Sequence, residues 1–272
     1  MSTTITRRAL LAGAVALPWL AACSTGPDRT AGVDLTEGTF SSRFWPGHEV
    51  RWRLARPAAS SSVAPAQPVV VALHGHGGDA DWPFTSVHIE RHVAPTGLAV
   101  ATVDGGDFYW HARRSGIDPG ALVVRELLPL LAGKKRLATD RIGLIGWSMG
   151  GYGALLLASR LGPRRVSGVV ATSAALWQSP GDSAPGAFDD RQDFVRNDVF
   201  SARPVLARLP VRLDCGSEDP FIAANRAFAR GLPTATATFD PGAHTETYWT
   251  AQAAAQMTWL SKTFTRPAAL AP

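Results

Sequence analysis

Residues 144–155 read Leu-Ile-Gly-Trp-Ser-Met-Gly-Gly-Tyr-Gly-Ala-Leu, a G-x-S-x-G pentapeptide set between an apolar strand signal and an apolar helix signal. Such a pentapeptide forces a sharp strand-to-helix turn with the serine at its tip, and Gly146 and Gly150 leave the room the turn needs. Ser148 then stands over the end of a sheet and at the N-terminus of a helix. Its oxygen can attack a carbonyl there, and the negative charge that develops meets backbone N–H groups. A serine hydroxyl is a poor nucleophile near neutral pH, so it needs a histidine base, and the base needs a carboxylate to hold its tautomer.

Of the seven histidines, His244 falls in Phe239-Asp240-Pro241-Gly242-Ala243-His244, a turn-rich loop after the last short strand signal. His48 lies in an early strand, and His88 and His92 stand four apart in a predicted helix, where packing or surface roles outweigh catalysis. No third ligand near that pair points to a metal. For the carboxylate, Asp219 follows the strand Val211 to Cys215 within Gly216-Ser217-Glu218-Asp219-Pro220; Glu218, Asp214 and Asp240 are its rivals. Leu73-His74-Gly75-His76-Gly77-Gly78-Asp79 follows an early apolar strand, where small residues let a backbone approach substrate. The expected oxyanion donors are the backbone N–H groups of His76 and of Met149, the residue after the serine. Phe108, Trp110 and His111, after the strand Leu98 to Val103, and Trp177, after the strand Val166 to Thr172, are candidates for an acyl pocket. The set requires no metal and no organic cofactor, because it supplies nucleophile, base and electrostatic support by itself.

These residues need a frame that delivers them to one edge. His48 to Ala55 alternates like an edge strand, whereas Pro68 to Leu73 is a continuous apolar run of the kind buried on both faces of a sheet. Leu98 to Val103, the strand ending at Gly146, Val166 to Thr172, Val211 to Cys215 and Ala235 to Phe239 follow. Helical stretches alternate with them at Pro119 to Leu131, after Ser148, at Ala223 to Gly231 and at Thr247 to Phe264. That alternation predicts an α/β fold, a mostly parallel sheet with helices on both faces, whose C-terminal strand ends carry every candidate residue. Residues 174–198 interrupt the rhythm as one long irregular insertion, either a lid or a loose surface loop. Cys215 sits in an apolar strand as a buried, inert thiol.

The N-terminus reads Thr6-Arg7-Arg8-Ala9-Leu10-Leu11, then a short apolar run to Leu20-Ala21-Ala22-Cys23, which predicts a twin-arginine export signal over residues 1–22 joined to a lipobox. Ala9 to Ala22 is shorter than the roughly 20 residues a bilayer core requires and contains Pro18. Lipid on Cys23 would anchor the chain at the outer face of the cell membrane without spanning it. Residues 23–40 then act as a tether and 41–265 as one catalytic domain, with Pro57 to Pro68 as an exposed loop. Losing Arg7 and Arg8 with the leader leaves 25 basic against 22 acidic residues, too even a balance for a nucleic-acid partner. Cys23 and Cys215 are the only cysteines, so a lipidated chain has no internal disulfide.

Gly-Trp-Ser-Met-Gly-Gly-Tyr-Gly-Ala-Leu resembles the nucleophile segment of the esterase D group of α/β-hydrolases, whose chain order is likewise Ser, Asp, His. Asp214-Cys215-Gly216-Ser217-Glu218-Asp219-Pro220-Phe221 resembles that group's acid segment, which puts the acid on Asp219. His244-Thr245-Glu246-Thr247-Tyr248-Trp249 resembles the histidine segment of the related mycolyltransferases, which puts the base on His244. The resemblance covers about residues 68 to 260 and implies a serine esterase acting on small-molecule or lipid acyl esters; joined to the leader, it reads as an exported lipoprotein esterase. Mycolyltransferases carry Asp-Gly-Leu where this chain has His74-Gly75-His76. Acyl transfer to envelope glycolipids is therefore the alternative to hydrolysis. A binding lipoprotein that kept the fold without catalysis is the third reading, opposed by the complete Ser, Asp and His set. S-formylglutathione hydrolases share the serine motif, but export would separate this chain from glutathione.

Overall fold

Apolar runs without alternation make strands buried on both faces, and in the computed structural model such strands form the middle of a single sheet. The structure describes residues 32–58, 66–135 and 137–265. Arg7, Arg8, Cys23 and most of the Pro57 to Pro68 loop lie outside those residues. The strands are β1 (Val33–Ser42), β2 (Trp45–Pro57), β3 (Gln67–Leu73), β4 (Ala99–Val103), β5 (Leu137–Trp147), β6 (Val166–Thr172), β7 (Val211–Asp214) and β8 (Thr236–Thr238). Their spatial order is β1-β2-β4-β3-β5-β6-β7-β8, and all neighbours are parallel except β1 with β2 and β2 with β4.

In β3, Val69, Val71 and Leu73 enter one core layer while Val70 and Ala72 enter the other. Each face therefore needs its own helical cover. The Met149–Leu161 helix packs against β5 and β6 on the first face, and the Glu246–Phe264 helix against β6 on the second. The stretch expected to be helical over Pro119 to Leu131 runs from Pro119–Leu122 through a π-helical turn at Val123–Leu127 into Leu128–Lys135. In that turn Glu126 accepts hydrogen bonds from Ser42 Oγ at 2.5 Å and Arg43 N–H at 3.2 Å, tying the helix to the β1–β2 hairpin.

Three expectations need correction. Residues 33–40, assigned to the tether, belong to β1, which pairs with β2 from Val33 opposite Pro57 to Ser42 opposite Trp45. Its polar residues face solvent along the sheet edge, and the ladder to a partner distant in sequence supplies what its composition does not. As a result the His48 to Ala55 segment is not the edge; it lies second, between β1 and β4. His88 and His92 do not share a regular helix either. His88 has φ 56° and precedes a short 3-10 turn at Ile89–His92.

The insertion is ordered. It contains a 3-10 turn at Pro180–Asp182 and a helix at Arg191–Arg196, and it is fastened to the loop after β4. Arg113 Nε donates to Asp189 Oδ1 at 3.1 Å, and Tyr152 Oη donates to Asn197 O at 2.9 Å. No helix among the described residues is long and apolar enough to cross a membrane.

Candidate active site

The turn after β5 holds Ser148 at φ 55° and ψ −118°, a backbone region costly for any side chain and found where surrounding structure over-determines it. The surroundings here are main chain. A Cβ on Gly146 would lie 2.1 Å from Gly150 O, and one on Gly150 would lie 2.0 Å from Leu73 O. Only glycine permits those approaches. Ser148 N–H donates to Thr172 O at 3.0 Å, and its carbonyl accepts from Ala175 N–H at 3.0 Å and Tyr152 N–H at 3.1 Å. The serine tip is thereby fixed to β6 and to the loop that follows it.

The loops after β7 and β8 are joined before either delivers a side chain. Ser217 N–H donates to Asp240 O at 2.8 Å and Glu218 N–H to Gly242 O at 2.9 Å, so the acid and base loops move as one unit. Thr245 caps the Glu246–Phe264 helix by accepting from Tyr248 N–H, setting where the helix starts relative to His244.

Across these loops His244 Nε2 stands 2.9 Å from Ser148 Oγ, and His244 Nδ1 stands 2.8 Å from Asp219 Oδ2. A carboxylate only accepts, so Nδ1 carries the ring proton and Nε2 is free to accept the serine proton. The Asp219 carboxylate is fully buried while His244 keeps a quarter of its surface exposed. Burial alone would raise the Asp219 carboxyl. Hydrogen bonds from His244, the Phe221 amide at 2.8 Å and Ser173 outweigh it and hold the group below its ordinary value. Trp249 stands edge-on to the imidazole at 5.0 Å and donates through Nε1 to Ser173 Oγ at 2.9 Å.

The rival carboxylates are otherwise placed. Glu218 is exposed, Asp214 is buried against Arg212 at 2.8 Å and Gln256 at 2.8 Å, and Asp240 accepts from Gln252 at 3.3 Å. Cys215 is buried, and burial together with nearby Asp219 pushes its thiol far up, so it stays protonated.

The two amides expected to stabilise an oxyanion, His76 N–H and Met149 N–H, donate to no acceptor among the described residues. Met149 begins its helix, where the first N–H groups have no intrahelical partner. The His76 loop reaches the serine through Gly75, on which a Cβ would lie 3.5 Å from Ser148 Cβ.

Of the four pocket candidates, only Trp177 stands beside the Ser148, His244 and Asp219 cluster, through Phe221. Trp110 and His111 are wholly buried, and Phe108 packs edge-on against Trp45 at 5.3 Å. Trp110 lies beneath His74, and His111 holds the insertion through Ala187 O at 3.2 Å. The residues that do flank the site are Tyr109 and Phe221. Ring centroids run from His244 to Phe221 at 5.3 Å, to Trp177 at 5.8 Å, to Tyr109 at 5.7 Å and to His76 at 6.5 Å. Tyr109 was hidden because it and Trp110 have φ of 54° and 58°, which turns the loop and exchanges the faces its side chains take. Phe221 was within the acid segment, two residues past Asp219, and its amide holds that carboxylate. Among the described residues no group of three His, Cys, Asp or Glu side chains is placed to hold a metal ion.

Comparison with known proteins gives this arrangement a context. The family described as putative esterase matches residues 45–260. The chain is 28% identical over 145 residues to the putative esterase NocK of Nocardia uniformis subsp. tsuyamanensis, a stretch covering 51% of this chain and 42% of that relative. The match thus spans less than half the length of that protein. Among solved structures, a ferulic acid esterase superposes with a TM-score of 0.73 at 19% identity, covering 85% of this chain and 98% of the other. An S-formylglutathione hydrolase from Agrobacterium tumefaciens does so with a TM-score of 0.73 at 20% identity, covering 85% and 96%. The fold shared with these structures is the α/β-hydrolase fold.

Proposed function

This chain belongs to the putative esterase family of ester hydrolases, and we propose that it is an exported, lipid-anchored serine esterase with Ser148, His244 and Asp219 as its catalytic triad. The observation that carries the reading is the continuous hydrogen-bonded line from Ser148 Oγ to His244 Nε2 at 2.9 Å and from His244 Nδ1 to buried Asp219 at 2.8 Å. Ser148 Oγ attacks the ester carbonyl as His244 takes its proton, and Asp219 stabilises the imidazolium that forms. The negative charge on the carbonyl oxygen is held by the His76 and Met149 amides, each worth about 100- to 1000-fold in rate where such donors have been removed. His244 returns the proton to the departing alcohol, leaving Ser148 acylated. Water, deprotonated by His244, then releases the carboxylic acid and frees the serine. The aromatic crescent from Phe221 to Tyr109 supports an apolar or aromatic group on the ester.

The leader with Arg7-Arg8 and the lipobox ending at Cys23 support export and acylation, which would place the reaction at the outer face of the cell membrane. The test is fluorophosphonate labelling of the wild type beside Ser148→Ala, with hydrolysis of p-nitrophenyl esters of graded acyl length and the mass of the mature N-terminal peptide. Labelling and turnover must both depend on Ser148. Equal labelling of the two proteins refutes the nucleophile, and an unmodified Cys23 peptide refutes the anchor.

A further inference from the structure

We infer that His74 is a positioning residue for the oxyanion site, whose ring sets the direction of the His76 N–H. The inference rests on the esterase reading above, in which that amide holds the oxyanion.

His74 directly follows β3 and is 1% exposed. Both ring nitrogens are engaged. Nδ1 lies 2.8 Å from Gly75 O, and Gly105 N–H donates to Nε2 at 3.0 Å. A carbonyl oxygen only accepts and an amide N–H only donates, so Nδ1 must carry the proton and Nε2 must be bare. No other protonation state satisfies both contacts. In the imidazolium, two N–H groups would confront each other at 3.0 Å. Burial lowers the His74 pKa and prevails over Asp104, Asp79 and Asp107, which pull it upward.

The consequence lies in the peptide that His74 grips. Gly75 O and the His76 N–H belong to one planar trans unit and point in opposite directions, so pinning the oxygen aims the hydrogen. Gly75 O also accepts from Gly78 N–H at 3.1 Å, and Gly77 N–H donates to Asp107 Oδ1 at 2.6 Å. The chain is thus tied on both sides of His76 while the His76 amide is left free. The His74 ring cannot swing away: the Trp110 ring stands edge-on to it at 5.0 Å, and that indole is itself packed where a Cβ on Gly105 or Gly153 would come within 2.4 Å of it.

The experiment uses the full chain and three substitutions. Asparagine overlays its amide N–H on Nδ1 and can still grip Gly75 O; glutamine overlays its oxygen on Nε2 and cannot; leucine replaces neither contact. His74→Gln and His74→Leu should lower kcat about 10- to 1000-fold with KM little changed, and weaken a trifluoromethyl ketone inhibitor in proportion to kcat/KM. His74→Asn should recover a large part of both. A His74→Gln enzyme with wild-type kcat, or one that loses kcat while binding the inhibitor normally, overturns the inference. If the substituted chains do not fold, nitrogen-15 NMR of the wild-type imidazole decides: a neutral ring protonated at Nδ1 supports it, and a cationic or Nε2-protonated ring at neutral pH overturns it. Failure of the esterase reading shows separately, as absence of Ser148-dependent turnover in the wild type, and would remove this inference with it.

Discussion

Asp219→Asn changes one buried atom and should nearly silence the enzyme. Phe221 N–H donates to Asp219 Oδ1 at 2.8 Å, so the asparagine must keep its oxygen there and turn its NH2 toward His244 Nδ1. Two donors cannot face each other, so the imidazole proton moves to Nε2, opposite Ser148 Oγ, and the ring can no longer accept the serine proton. The substitution also removes the charge that stabilises the imidazolium. A unit pair at 2.8 Å is worth about 6 kcal/mol at an effective dielectric of about 20, and the exposed quarter of His244 brings this to about 4–6 kcal/mol. That corresponds to a loss of kcat of roughly a thousand-fold to a few ten-thousand-fold. KM should hardly move, because Asp219 is buried behind the histidine. The assay is kcat and KM for p-nitrophenyl butyrate, with melting temperatures to show that both proteins fold. Glu218→Gln, on the exposed neighbour, serves as the control and should retain activity. A folded Asp219→Asn enzyme within about tenfold of wild type would falsify the assignment, as would a collapse of activity in Glu218→Gln.

Two further outcomes follow from the geometry. In Gly150→Ala the added methyl starts 2.0 Å from Leu73 O and 2.6 Å from His74 O, so the serine turn and the oxyanion loop must part by about 1 Å. Helix propensity returns at most about 1 kcal/mol, while misplacement on this scale costs about 100-fold in rate, so kcat should fall at least that far; unchanged kinetics would contradict the close approach. Acid should destabilise the fold below about pH 6.5. Burial holds His74, His92 and His111 below their ordinary 6.5, against Asp104, Asp79 and Asp107 at His74 and Asp193 at His111, and with Arg91 at His92. The unfolded chain then binds more protons than the native one, so their stabilisation is complete above that value and is lost as pH falls through the lowered native values. Glu90, raised by burial, acts in the opposite sense at lower pH, so melting temperature is to be followed from about pH 7.5 to 5.5, where a flat or rising curve toward acid would contradict the argument.

The parts of the fold legible in the sequence are those whose stability is local or whose faces are uniformly buried. β3, β4 and β6 could be read because parallel strands covered on both sides carry near-continuous apolar runs without alternation. β1 could not, because its partner is β2 and its exposed face carries polar residues. Ser148, Asp219 and His244 were legible because each is followed or preceded by residues whose backbone role is itself encoded: glycines, a proline turn, a helix cap. Pocket residues have no such punctuation. Their direction depends on the φ of single loop residues, and two positive values in succession at Tyr109 and Trp110 exchanged an expected wall residue for a buried one.

The precision of the site comes from main-chain interlocks more than from side-chain packing. The loops after β3, β5, β7 and β8 supply the His76 amide, Ser148, Asp219 and His244. Backbone contacts that exclude a Cβ join them in pairs: Gly150 against Leu73 O, and Gly216 against Gly242 O at 2.0 Å. One lock couples the Ser148 turn to the His76 loop and the other couples the Asp219 loop to the His244 loop. The two units meet at the end of β6, where Thr172 O binds Ser148 and Ser173, the next residue, hydrogen-bonds the Asp219 carboxylate. A chain that placed the same side chains without these glycines would leave the 2.9 Å contact between Ser148 and His244 to two independently moving loops. With Ser148, His244 and Asp219 as the proposed triad, the motif glycines become part of its geometry, and substituting them should reduce kcat even where those three side chains are intact.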